Sequence, residues 1–305
     1  MKMQKFNLIW AIPLWFALFF TSCQSTIGKD NFSFVFITDA HVQPEFSADK
    51  GLAKAVKKIN ELQPEFVLTG GDEIRDALRV NFNRADSLYN LYDSIMGRLE
   101  MPLYRTIGNH DVFGLYEVSK VDPSHEFYGK KMFEARVGKT YYSFKHNNWH
   151  FIVLDAIGFT EDRHYYGKID STQMLWLKNE LDQNKTKPIV ISTHIPILSI
   201  GQQIMGKPTS PFRPNEVVTN ADEVRSLLEQ YNVKIVLQGH LHILEDIYYN
   251  GIHYITGGAV SAKWWYGPRY GMQEGFLKID VSGENFTWEY IDYAWDAKAP
   301  NQSKI

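Results

Sequence analysis

Residues 32–41 read FSFVFITDAH. The run FSFVFI is apolar, rich in Phe, Val and Ile, and only six residues long, which suits a strand buried on both faces better than a helix. Directly after it come Thr38-Asp39-Ala40-His41, so the carboxyl end of the strand delivers a carboxylate and an imidazole. The same arrangement recurs along the chain. EFVLT (65–69) is followed by Gly70-Gly71-Asp72, and PLYRTI (102–107) by Gly108-Asn109-His110-Asp111. PIVIS (188–192) leads into Thr193-His194, and KIVLQ (234–238) into Gly239-His240-Leu241-His242. Open α/β sheets carry their sites beyond the carboxyl ends of strands, and the glycines permit the tight turns and close backbone approach such a site needs.

Helical patterns lie between several of these strands. Residues 48–62 put Leu52, Ala55, Val56 and Ile59 on one face with lysines opposite, and 84–99 do the same with Leu88, Leu91, Tyr92, Ile95 and Leu99. Two further helices are expected over 171–181 and 221–230, each beginning near a Ser, Asn or Asp able to cap it. Other strands pair without helices: 141–156 turns at Asn147-Asn148, 247–257 at Asn250-Gly251, and 275–281 with 286–292 at Ser282-Gly283-Glu284-Asn285. Parallel and hairpin strands with helices between them predict an α/β fold of two mixed β-sheets packed face to face, with helices on both outer sides, an αββα sandwich.

Of the 305 residues 44% are hydrophobic and 22% charged, which excludes a disordered chain and a small disulfide scaffold. The formal net charge is −3 with no block of Lys or Arg, so nucleic acid is not an expected partner. A single cysteine, Cys23, excludes an intramolecular disulfide and a thiolate metal cluster.

Lys2 and Lys5 precede an uncharged apolar stretch, FNLIWAIPLWFALFF (6–20), which is short for a bilayer span and has the form of a signal peptide over 1–22. Phe20-Thr21-Ser22-Cys23 resembles a bacterial lipoprotein box, with Phe20 where that box usually has Leu. The resemblance implies lipidation at Cys23, a polar tether over 23–31, and an exported protein held to a membrane of the cell envelope or periplasm by an N-terminal lipid anchor. Residues 32–295 are then expected to form one domain, with a polar tail over 296–305.

The polar residues at the strand ends are Asp39, His41, Asp72, Asn109, His194, His240 and His242, with His110 and Asp111 beside them. Gathered in one pocket without a cation, they would be costly to desolvate. Two divalent metals would remove that cost, and a ligand set of oxygen and imidazole without sulfur suits Mn, Fe or Zn. One carboxylate shared by both ions would hold them about 3.5–4 Å apart. Asp72, alone at its strand end, is the candidate for that bridge.

In this order, Asp-x-His, Gly-Asp, Gly-Asn-His-Asp, His and Gly-His-x-His resemble the calcineurin-like metallophosphoesterase superfamily. The resemblance implies that one metal takes Asp39, His41, Asp72 and His242, and the other Asp72, Asn109, His194 and His240. It implies hydrolysis of a small phosphate ester, mono- or diester, by a hydroxide bridging two divalent metals and attacking phosphorus in line. Asn109 would stabilise the phosphoryl oxygens, and His110, its ring held by Asp111, would position phosphate or protonate the leaving oxygen. The chain has Asp-x-His where purple acid phosphatases have Asp-x-Gly, and Arg75 where they have Tyr, so its motifs do not resemble that branch. The Asp-x-His start and Gly-Asn-His-Asp are closer to the cyclic-nucleotide phosphodiesterase-like branch.

Two loops are expected to face substrate: GGAVSAKWWYGPRYG (257–271) and SPFRP (210–214). Trp264, Trp265, Tyr266, Arg269 and Tyr270 could stack a base and hold a phosphate. His125, His146, His150, His164 and His253 sit at no motif position and read as structural or surface residues, although His125 and His164 could line the pocket. Two alternatives stand beside phosphoester hydrolysis: cleavage of a nucleotide-linked or envelope-lipid pyrophosphate, and a metal-stabilised binding module without turnover. There is no Gly-x-Ser-x-Gly elbow, P-loop or dinucleotide glycine pattern.

Overall fold

The computed structural model describes residues 31–297, so the signal peptide, Cys23, residues 23–30 of the tether and residues 298–305 of the tail lie outside the described residues. The strands are β1 (Asn31–Ile37), β2 (Phe66–Thr69), β3 (Leu103–Tyr104), β4 (Tyr142–His146), β5 (Trp149–Val153), β6 (Ile157–Phe159), β7 (Tyr165–Gly167), β8 (Ile189–Ser192), β9 (Val233–Gln238), β10 (Leu244–Tyr249), β11 (Ile252–Gly257), β12 (Gly275–Ser282) and β13 (Asn285–Asp292). The helices are α1 (Ala48–Leu62), α2 (Phe82–Met96), α3 (Lys131–Arg136), α4 (Ser171–Gln183), α5 (Gly201–Ile204) and α6 (Ala221–Leu228).

Five strands form one sheet in the order β13-β12-β1-β2-β3, and six form the other in the order β10-β11-β9-β8-β5-β4. Each has a parallel centre and antiparallel flanks: β1 runs parallel to β2 and antiparallel to β12, while β5, β8, β9 and β11 are parallel. The flanking hairpins turn where Asn147, Asn250 and Gly283 were expected to turn them.

The apolar run 32–37 shows why the strands lack an alternating polar face. Phe32, Phe34 and Phe36 point between the sheets, where they meet Phe66, Phe151, Val190, Leu237 and Leu277. Val35 and Ile37 point the other way onto Leu52, Val56 and Ile59 of α1 and Leu88 and Tyr92 of α2. On the far side Ile152, Ile189 and Ile191 lie against Leu177 and Leu181 of α4 and Val224 and Leu228 of α6. The result is the expected αββα sandwich, with both faces of each central strand buried. The middle layer is rich in aromatics: Phe34 stacks on Phe66 at 5.0 Å, and Phe151 meets Phe66 edge-on at 5.2 Å.

Three local expectations needed correction. The strand expected over 102–107 pairs only at Leu103 and Tyr104, because side chains take over its ladder: Thr69 Oγ1 accepts from Thr106 N–H, and the Tyr142 hydroxyl accepts from Arg105 N–H and donates to Arg105 O. Helix α2 starts at Phe82, since Asn81 caps it by accepting from Arg84 N–H at 3.1 Å. Asp170 caps α4 by accepting from Gln173 N–H, but Asn220 caps nothing at the start of α6, its amide being bonded to Ile169.

Candidate metal centre

All five ligand-bearing loops leave the carboxyl ends of β1, β2, β3, β8 and β9 and meet at one end of the sandwich. The first two run side by side past their strands, with Asp39 N–H donating to Gly71 O, His41 N–H to Asp72 O and Val42 N–H to Glu73 O. Packing there leaves no room for side chains on two glycines. A Cβ on Gly71, which sits at φ +91°, would lie 2.8 Å from His194 Nδ1, and one on Gly108 would lie 2.2 Å from Asp72 N. Five residues of the cluster adopt left-handed backbone: Asp39 (φ 56°), His41 (43°), Asp72 (55°), His240 (71°) and His242 (54°). Each costs on the order of 1–3 kcal/mol, a strain that persists only where the surrounding structure enforces it.

The side chains converge in two groups. In the first, His242 Nε2 lies 3.1 Å from Asp39 Oδ1 and 3.0 Å from His41 Nε2, and His41 Nε2 is 3.7 Å from Asp39 Oδ1. In the second, His194 Nε2 is 3.2 Å from Asp72 Oδ2, 3.0 Å from Asn109 Oδ1 and 3.3 Å from His240 Nδ1. Asp72 Oδ2 also lies 3.5 Å from His41 Nε2, so one oxygen belongs to both groups, while Oδ1 accepts from His110 N–H at 2.7 Å.

Whether this set suits cations is settled by where the ring protons go. Carbonyls carry no proton, so His194 Nδ1 donates to Gly70 O, His240 Nε2 to Asn215 O and His242 Nδ1 to Ala262 O. The opposite nitrogens of neutral rings then aim lone pairs inward. With neutral rings at most one contact among Asp39, His41 and His242 can hold a proton. The remainder is lone pair against lone pair, an arrangement that cations satisfy. These residues fit divalent metals at both groups.

The electrostatics divide the rings. Burial alone would raise the Asp39 carboxyl, but the neighbouring His242, His41 and His194 hold it well below the usual range, and His194 chiefly does the same for Asp72. Burial pushes His41 and His110 down, and pushes His240 down to about 4 with help from His194. His194 goes the other way: burial opposes its charge, yet the Asp72 carboxylate raises it to about 9.

Other expected site residues fall into place or away from it. Asn109 is buried, its Nδ2 without a partner. His110 lines the cavity with its ring edge-on to His41 at 4.7 Å, and its Nδ1 makes no hydrogen bond. Asp111 does not hold that ring, which corrects the expected role. Its Oδ2 accepts from Asp72 N–H and Gly108 N–H and its Oδ1 from Glu73 N–H and Ile74 N–H, so it ties the β2 and β3 loops together. Trp265 is not a substrate contact either: it is fully buried and donates to Ala40 O and His41 O. Trp264 and Arg269 do line the cavity, whose volume is about 180 Å³. Arg213 lines it too, paired with Glu216. His125 packs on Phe82 and Phe113, and His164 is exposed beside Asp162, so neither reaches the pocket. Tyr165 and the Asn215 carbonyl do reach it. Sequence reading missed both, because an aromatic in a short hairpin and a backbone oxygen carry no motif.

Several known proteins resemble this chain. The chain is 24% identical to a 3′,5′-cyclic-nucleotide phosphodiesterase of Nostoc sp. (strain PCC 7120) over 229 residues, 72% of this chain and 74% of the relative. It is 22% identical to a probable glycerophosphodiester phosphodiesterase of Arcobacter nitrofigilis, covering 74% and 77%. It is also 22% identical to the human tartrate-resistant acid phosphatase type 5, covering 83% and 82%. Among solved structures a dimetal phosphatase from Danio rerio shares the fold with a TM-score of 0.60 at 16% identity, over 86% of this chain and 99% of that one. A purple acid phosphatase from yellow lupin does so at 0.58 and 14% identity, over 89% and 53%. The likeness to acid phosphatases therefore covers the scaffold, although Arg75 and His41 set the motifs apart. A family model described as calcineurin-like phosphoesterase matches residues 32–244, from the first strand to just past His242 and well over half the chain, and the chain belongs to that family.

Proposed function

We propose that the chain hydrolyses a phosphate ester, most readily a small diester, with two divalent cations held by Asp39, His41, Asp72 and His242 and by Asp72, Asn109, His194 and His240. The observation carrying this reading is the shared Asp72 Oδ2, which lies 3.5 Å from His41 Nε2 and 3.2 Å from His194 Nε2. Two of the similar curated proteins are named phosphodiesterases, which favours a diester. When bound, the cations supply Lewis acidity to the phosphoryl oxygens and acidify a water toward hydroxide near neutral pH.

The chain's own residues supply the rest. The backbone amide of His110 fixes Asp72, so the oxygen that faces both groups does not rotate away. The unpartnered Asn109 Nδ2 offers a donor to a phosphoryl oxygen as charge builds there. His110 lines the cavity; burial keeps its ring neutral, so it would act on a leaving oxygen as an acid only once the charge of a bound phosphate raises its basicity.

A panel of monoester, cyclic diester and pyrophosphate substrates run with Mn²⁺, Fe²⁺ and Zn²⁺ tests the reading. Chelator-sensitive release of phosphate or nucleotide is expected, and turnover that survives metal removal overturns it. The variant His110→Ala is expected to keep its metal and lose on the order of 10²–10⁴-fold in turnover on alkyl esters, and much less on nitrophenyl esters. Equal losses on both would remove the proton-donor role. Export and lipidation at Cys23 form part of the proposal on sequence grounds alone. Among the described residues no helix is long and apolar enough to cross a membrane, and a Cys23→Ala variant still wholly membrane-bound would argue against the lipid.

A further inference from the structure

The arginines of the described residues divide sharply. Arg79, Arg84, Arg105, Arg136, Arg213 and Arg225 each pair with a carboxylate, and Arg163 donates to three backbone carbonyls. Arg98 has no partner but stands in solvent. Arg75 and Arg269 are different: both are half-buried, neither makes an ion pair or side-chain hydrogen bond among the described residues, and both lie against Trp264, at 5.9 and 4.7 Å from its ring centre. Arg269 Nε and Trp264 Nε1 are buried without partners.

A half-buried guanidinium without an acceptor has given up water for nothing, unless an anion arrives from outside. Its position says which anion. Arg269 lines the cavity that also exposes Asp72, His41 and His110, and Arg75 follows Asp72 by three residues on the same loop. Trp264 is no free platform for a base, because its ring is already approached by the His242 ring at 4.8 Å and by the two guanidinium groups. A guanidinium attracted to an indole ring spends none of its N–H donors there, so they stay open for bonding to oxyanions.

We propose that Arg75 and Arg269, both against Trp264 beside the ligand cluster, form a second anion subsite that binds a phosphate or carboxylate group of the substrate other than the phosphoryl being cleaved. This rests on the phosphoesterase reading and narrows it to phosphoesters that carry their own second anionic group. Neutral-tailed esters are then poor substrates.

Three synthetic diesters sharing one leaving group test the subsite: p-nitrophenyl ethyl phosphate, its β-carboxyethyl analogue and its β-phosphonoethyl analogue. In each, water adds to phosphorus, the P–O bond to the nitrophenyl group breaks, and nitrophenolate is read directly. With Mn²⁺ the wild-type protein is expected to favour at least one charged diester over the ethyl one by roughly ten-fold or more in kcat/KM, mainly through KM. The preferred analogue identifies the group as phosphate or carboxylate. R269Q and R75Q are each expected to lose most of that preference, and R269K to keep part of it, since it retains charge but not the fork. Equal rates on all three diesters, or variants that slow all three by one factor, overturn the subsite alone. Failure to cleave any of them by protein shown to hold metal overturns the phosphoesterase reading and the subsite with it.

Discussion

The two sides of the ligand cluster are built by different means. On the Asp72–Asn109–His194–His240 side, both imidazoles are oriented by backbone carbonyls, and Asp111 ties the β2 and β3 loops with four amide bonds. On the Asp39–His41–His242 side, only His242 has such a partner, and it comes from Ala262 in the 257–271 loop; His41 Nδ1 has none. There the carbonyls of Ala40 and His41 are held instead by the indole of Trp265 from the same loop. One side leans mainly on the sheet ends, with Asn215 from the segment before α6 behind His240, and the other leans on the 257–271 loop. A ligand ring is only as well placed as the atom behind it, so the two sides should differ in rigidity and in hold on a cation.

The largest expected effect is the one that abolishes the comparison. Asp72→Ala should remove both cations and drop turnover to background, read by elemental analysis alongside phosphate release. One cation retained at full occupancy would show that the sides do not share an oxygen. Asp111→Asn should strike the sheet-anchored side. An amide nitrogen would face backbone donors where a carboxylate accepted them, costing about 3 kcal/mol in a denaturant melt with chelator and weakening cation binding roughly 10–100-fold.

The pH dependence should come from the same side. In the metal-free chain the Asp72 carboxylate keeps His194 protonated to about 9. Because this folded pKa lies above the ordinary value of 6.5, the stability the pair contributes is fully present below about 6.5 and is lost as pH rises through about 9. A cation must displace that proton, so its apparent affinity should rise about ten-fold per pH unit from neutrality to about 9, with one proton released in calorimetry. A flat profile would separate His194 from the cation. The smallest effect belongs to the loop-anchored side. Trp265→Phe loses the N–H and the outer indole atoms that pack on Gly51, and should cost about 2–3 kcal/mol and weaken one cation of the two roughly ten-fold. Equal weakening of both would mean the loop serves the whole cluster.

Legibility in the sequence followed the same division. The ligands at the strand ends were readable because each follows its own apolar run within a few residues, and Leu52, Val56 and Ile59 marked the inner face of α1 at helical spacing. The role of Asp111 was not readable. Adjacency in sequence suggested His110, whereas its partners Asp72, Glu73 and Ile74 are nearly forty residues away and are reached only once β2 and β3 lie parallel. The two adjacent tryptophans looked equivalent in the 257–271 loop. They part because Trp264 and Trp265 both take left-handed backbone, which sends one ring to the cavity and the other beneath it against α1. The carbonyls of Gly70, Asn215 and Ala262 left no trace at all, since every residue has one.

The left-handed backbone at Asp39, His41, Asp72, His240 and His242 has a corollary for substitution. Glycine occupies that conformation freely, so replacing any of these residues by glycine relieves torsion while destroying chemistry. The relaxed torsion would return only part of the folding energy lost with the side chain's buried contacts.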